Sequence, residues 1–84
     1  MSNYLHLGSG TMIHLKDLIG IINLEEPSAL ASVAELTEQA EADKRLFSAA
    51  EGLEPKSLVI TRKGLYWSAI SAGTLYKRAA GNEE

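Results

Sequence analysis

Leu18-Ile19-Gly20-Ile21-Ile22-Asn23-Leu24 constrains this chain more than any other stretch, because it is apolar almost without interruption. An amphipathic helix would leave polar residues along one side, and a half-exposed strand would alternate at every second position. The continuous pattern predicts a strand covered on both faces and places it at the centre of a sheet. It is far shorter than the roughly 20 residues that cross a bilayer.

The flanking residues extend the pattern. Tyr4 to Leu7 alternate, Gly8-Ser9-Gly10-Thr11 supplies glycines able to take positive φ, and Met12 to Leu15 can return, which predicts a hairpin. Pro27 suits the first turn of a helix, and Ser28 to Ala42 holds good helix formers without proline or glycine. Leu30, Val33, Ala34, Thr37 and Ala40 can face the sheet, while Glu35, Glu38 and Glu41 share another side and read as a solvated face. A short strand is expected over Arg45 to Ala49, with Leu46 and Ser48 on one face and Phe47 and Ala49 on the other. Ser57 to Thr61 and Leu65 to Ile70 flank Arg62-Lys63-Gly64 and read as a second hairpin. Ser71 can cap a closing helix from Ala72 to about Ala80.

The expected fold is therefore α/β of the α+β type: a small single domain, 1–84, of two β-hairpin-like units with a middle helix and a C-terminal helix. Residues 4–80 are expected to be ordered and 81–84 frayed. With 84 residues and no cysteine, the chain has neither a disulfide framework nor a thiolate metal site to stabilise it. A core this small makes association an expected source of stability. Met1 to Asn3 carry none of the segments of a secretion signal, so a cytoplasmic protein without membrane contact is expected.

Charge narrows the partners. The formal net charge is −3, which argues against a generic nucleic-acid binder, so any DNA contact needs a local patch. Acid gathers in the middle, from Glu25 to Glu54. Lys56, Arg62, Lys63, Lys77 and Arg78 make the final third basic as far as Glu83 and Glu84.

Four segments stand out together: Tyr4-Leu5-His6-Leu7-Gly8, Leu15-Lys16-Asp17-Leu18-Ile19-Gly20-Ile21, Pro55-Lys56-Ser57-Leu58-Val59-Ile60-Thr61, and Ile70-Ser71-Ala72-Gly73-Thr74-Leu75-Tyr76-Lys77-Arg78-Ala79. In this order and spacing they resemble the RemA/RemB family of bacterial extracellular matrix regulators, on its RemB side, from Tyr4 to Ala79. The resemblance implies a small domain that assembles into a closed homo-oligomeric ring. In the RemA branch it further implies binding to promoter DNA that activates genes for biofilm matrix. An arginine pair used for DNA in that branch corresponds here to Leu53 and Glu54, and a further basic position corresponds to Asp17, beside Lys16. Lys56 aligns with another basic residue of the same loop. A carboxylate in place of an arginine removes a phosphate contact and adds repulsion.

Lys16, Lys56, Arg62 and Lys63 are the candidate DNA-binding residues, since long cations at turns reach phosphates without belonging to a core. Exposed cations also serve solubility and edge protection, which is the plainer reading of each one singly. Lys77 and Arg78 suit the negative end of the closing helix. Tyr66, Trp67 and Tyr76 read as core or subunit-interface anchors rather than base-stacking platforms. With Ser9-Gly10 as a two-residue turn, His6 falls opposite Ile13 and His14 opposite Leu5, on different sheet faces. A loop one residue longer would put both on one face, and neither arrangement supplies a third metal ligand. The serines lack a nucleophile elbow, and Gly8-Ser9-Gly10 lacks the setting of a phosphate loop.

The combined expectation is a non-enzymatic regulator without cofactor or metal, forming a ring that holds DNA through backbone contacts. The alternative is an oligomeric adaptor that binds a RemA-type protein through its acidic helix face or its hydrophobic ring edge, without touching DNA.

Overall fold

Ser9 and Gly10 adopt φ of 51° and 76°, the pair of left-handed values that a two-residue hairpin turn requires and that glycine takes at little cost. The structure, a computed structural model describing residues 3–81, accordingly opens with an antiparallel pair, β1 (Tyr4–Gly8) and β2 (Thr11–His14). The turn is the expected one, but the register is not. Leu7 is bulged out of the ladder, so Tyr4 lies opposite His14, Leu5 opposite Ile13 and His6 opposite Met12. One extra residue moves every pairing by one position. His6 and His14 consequently share the outer face instead of lying on opposite faces.

A 3₁₀ turn, Leu15–Asp17, leads into β3 (Leu18–Asn23). After a second 3₁₀ turn, Pro27–Ala29, the chain continues as α1 (Leu30–Ala42), β4 (Leu46–Ser48), β5 (Ser57–Thr61), β6 (Leu65–Ser68) and α2 (Ala72–Ala79). The proline thus starts a tight turn, and the α-helix begins two residues later than Ser28. The last four strands form one sheet in the order β3-β5-β6-β4, antiparallel except for the parallel β4–β6 pair. The second expected hairpin, β5–β6, is therefore the middle of a four-stranded sheet. β6 stops at Ser68, whose hydroxyl accepts the Ile70 N–H at 3.1 Å and turns the chain out of the ladder.

β3 is an edge strand of this sheet, not its centre. It pairs with β5 alone, and Ile19, at the irregularity between Leu18 and Gly20, is 64% exposed. The central position belongs to β5, where Leu58 and Val59 are completely buried. The apolar run reports covered faces rather than paired edges: Ile21 packs on one side of the sheet and Ile22 on the other.

Those two sides hold two cores. Leu5, Leu7, Ile13, Ile21, Val59, Ala72 and Leu75 join the first hairpin and α2 to one face. Val33 of α1 meets Leu58 and Leu65 on the opposite face, with Trp67 and Leu46 at the margin. Each fully buried leucine contributes about 1.5–3 kcal/mol, so the hairpin side carries most of the cohesion. α1 is held more lightly. Val33 is buried and Thr37 and Ala40 are half-buried, but Leu30 and Ala34, both expected against the sheet, are exposed.

Buried hydroxyls tie the layers together. Ser68 donates to the carbonyl of Leu7 at 2.7 Å, and Ser57 donates to that of Ile70 at 2.8 Å. Ser71 caps α2 as expected, its hydroxyl accepting the Thr74 N–H at 3.3 Å, and Lys77 and Arg78 occupy the last turn. Gly81, the first of the residues expected to fray, ends the helix with its N–H on the Arg78 carbonyl at 3.1 Å. Residues 82–84 lie outside the described residues. Among the described residues, no helix is long and apolar enough to cross a membrane.

Candidate functional site

β5 separates the four candidate cations. Lys56 immediately precedes the strand and Arg62 immediately follows it, so their backbones stand roughly 20 Å apart at about 3.3 Å per residue. Arg62 and Lys63 form the β5–β6 turn. Lys16, in the 3₁₀ turn before β3, is brought to the same end because the Arg62 N–H donates to the Asp17 carbonyl at 2.9 Å. The fold therefore gathers Lys16, Arg62 and Lys63 and leaves Lys56 out. All three are exposed.

The turn that presents them is rigid for identifiable reasons. Thr61 is buried, and its hydroxyl donates to the Gly64 carbonyl at 2.8 Å while accepting the N–H groups of Lys63 and Gly64, both at 3.1 Å. Arg45 reaches across from the end of α1. Its Nη2 donates to the Arg62 carbonyl at 2.8 Å and its Nε to the Lys63 carbonyl at 3.2 Å. Gly64 permits this approach, since a Cβ there would stand 2.7 Å from both the Arg45 carbonyl and the Phe47 ring. Arg45 orients the turn and adds a further cation beside it. Its role rests on contacts 17 and 18 residues away, which no local pattern reveals.

Asp17 sits among these cations, only 6% exposed, with Lys63 Nζ at 3.7 Å from its carboxylate. The carboxylate at the position where the resemblance places a basic residue thus ties down one cation of the cluster. It also leaves Lys16 and Arg62 as the cations without an ion pair to it. Beside the cluster, His14 lies against Tyr4 with ring centroids 4.4 Å apart and planes tilted by 41°, and borders a recess shared with Met12, Asp17, Lys63 and Tyr66.

The opposite end of the sheet has another character. The Lys56 backbone is fixed in the ladder, its N–H on the Ser68 carbonyl at 2.8 Å and its carbonyl accepting the Leu24 N–H at 3.0 Å. The loop before it carries Glu51, Glu54 and Leu53, and Leu53 is 66% exposed. The aromatic residues do not make a stacking platform there. Trp67 packs on the α1 side, Tyr66 lies against Phe47 at 5.1 Å, and the Tyr76 hydroxyl donates to the Ile21 carbonyl at 2.7 Å. Of the three, Tyr76 is the most exposed and stands at the β3 edge.

Two comparisons bear on this arrangement. Residues 4–79 match the RemA-like family, described as extracellular matrix regulatory protein A-like. The chain is also 30% identical over 77 residues to the extracellular matrix regulatory protein B of Bacillus subtilis (strain 168), covering 90% of this chain and 89% of that protein.

Proposed function

The chain belongs to the RemA-like family of extracellular matrix regulatory proteins, and on that footing we propose that it is a non-enzymatic, cytoplasmic bacterial regulator of matrix gene expression. In this reading it assembles into a homo-oligomeric ring that holds DNA by its phosphate backbone. The observation that carries the DNA contact is the convergence of Lys16, Arg62 and Lys63 at one end of the sheet, on a turn fixed by Thr61 and Arg45. A preformed turn loses little entropy when its cations meet phosphates. One such patch on a chain of net charge −3 is a weak site, but copies repeated around a ring act together through effective concentration. Assembly is supported by the large apolar side chains that one protomer leaves exposed, among them Ile19, Leu30, Leu53 and Tyr76.

The test is binding of a fluorescent DNA duplex at about 50 mM salt. Wild type binds, Lys16→Glu combined with Arg62→Glu weakens binding by roughly tenfold or more, and Lys56→Glu has a smaller effect. Absence of binding by the wild-type oligomer would overturn the DNA contact. A second reading, the protein-interaction adaptor, is favoured by one observation: Leu53 and Glu54 stand exposed where the resemblance places a DNA-binding arginine pair. It predicts an oligomer without DNA affinity.

A further inference from the structure

His14 stands among the charges of the candidate site. It is the last residue of β2 and directly precedes the 3₁₀ turn that carries Lys16 and Asp17. That turn is held to the first hairpin because the Leu15 N–H donates to the Asn3 carbonyl at 2.9 Å, one position beyond the Tyr4–His14 pair. The half-buried imidazole borders two recesses. One, about 110 Å³ in volume, it shares with Asp17 and Lys63, the ion pair of the cluster. The other, about 360 Å³, it shares with Lys16. The titratable and charged groups around it are therefore Tyr4 on β1, Lys16 and Asp17 on the 3₁₀ turn, Lys63 on the β5–β6 turn and Tyr66 on β6. His6 lies on the same outer face of the hairpin but farther from the 3₁₀ turn, opposite Met12. Among side-chain types, histidine is the one whose charge ordinarily changes between about pH 5 and 8.

We propose that His14 is a titratable member of the phosphate-binding cluster: on gaining a proton its imidazole shares Asp17 with Lys63, frees the Lys63 ammonium for phosphate and tightens DNA binding as pH falls. The inference deepens the DNA reading above and rests on it. Whether the imidazolium or the released Lys63 meets the phosphate, this end of the protomer gains one positive charge. Copies that touch the same duplex multiply the gain. The carboxylate that holds Lys63 back from DNA then becomes the means of releasing it.

The test is binding of a fluorescent DNA duplex at about 50 mM salt, from about pH 8 to about pH 6. It compares wild type, His14→Gln, His14→Lys and His6→Gln, with light scattering and circular dichroism at each pH. Wild-type affinity should rise about threefold or more as pH falls, and its log–log salt slope should steepen by about 0.9 for each protomer engaged. His6→Gln should keep this rise and His14→Gln should lose it. His14→Lys should bind tightly across the whole range without a rise, which a merely structural role for the imidazole does not produce. A flat wild-type affinity, a rise that survives in folded His14→Gln, or a rise that disappears in His6→Gln overturns the proposal and leaves the DNA contact standing. A rise that follows a change in oligomer mass assigns it to assembly and overturns the proposal as well. No binding by the wild type at either end of the range overturns both the proposal and the DNA contact.

Discussion

Single side chains in this protein act by satisfying groups that distant segments leave open. Ser68 is the clearest case: it is fully buried, donates to Leu7 and accepts from Ile70, so it ties the first hairpin to the sheet. Ser68→Ala strands a buried carbonyl and an N–H together and should cost about 1–3 kcal/mol in urea unfolding, although the volume change is small. Asp17 is the converse. Its ion pair with Lys63 is with an exposed cation, and such pairs contribute at most about 1 kcal/mol. Asp17→Asn should therefore leave stability nearly unchanged while raising affinity for a DNA duplex and increasing its salt dependence by about one phosphate. Neither role can be seen in local sequence, because Ser68 and Leu7 are 61 residues apart.

Among the elements, type was more legible than arrangement. Glycines at the first turn, the helix-forming stretch after Pro27 and Ser71 before α2 all act locally, and the structure contains the elements they specify. Leu46 and Ala49 also fall into the two different cores, as their alternation implies. Strand order escaped the reading for a physical reason. The apolar content of a strand reflects what covers its faces, and β3 is covered on both faces while one of its edges is unpaired in its own sheet. The Leu7 bulge escaped it too, since nothing in Leu5-His6-Leu7-Gly8 distinguishes a regular strand from one that carries an extra residue. Denaturation of two alanine variants checks the corrected order. Leu58→Ala in the central β5 should cost about 2–5 kcal/mol, whereas Ile19→Ala on the edge should stay within about 0.5 kcal/mol in the monomer. A large loss at Ile19 would restore the central role to β3.

At the scale of the whole molecule, the candidate site was only half readable. The cations were recognisable as cations, but their grouping depends on the hydrogen bond from Arg62 to Asp17 and on the reach of Arg45, which together separate Lys56 from the rest. An acidic protomer with one small basic end and exposed apolar residues makes sense as a subunit whose weak sites are multiplied by assembly. The slope of DNA affinity against salt measures that multiplication. Three cations from a single protomer correspond to a log–log slope of about −2.7, at roughly 0.9 per phosphate. If copies act together on one duplex, the wild-type slope is steeper than this, and Lys16→Glu with Arg62→Glu flattens it. A slope of −2.7 or shallower would contradict the joint action of assembled copies, and a slope near zero would contradict backbone binding itself.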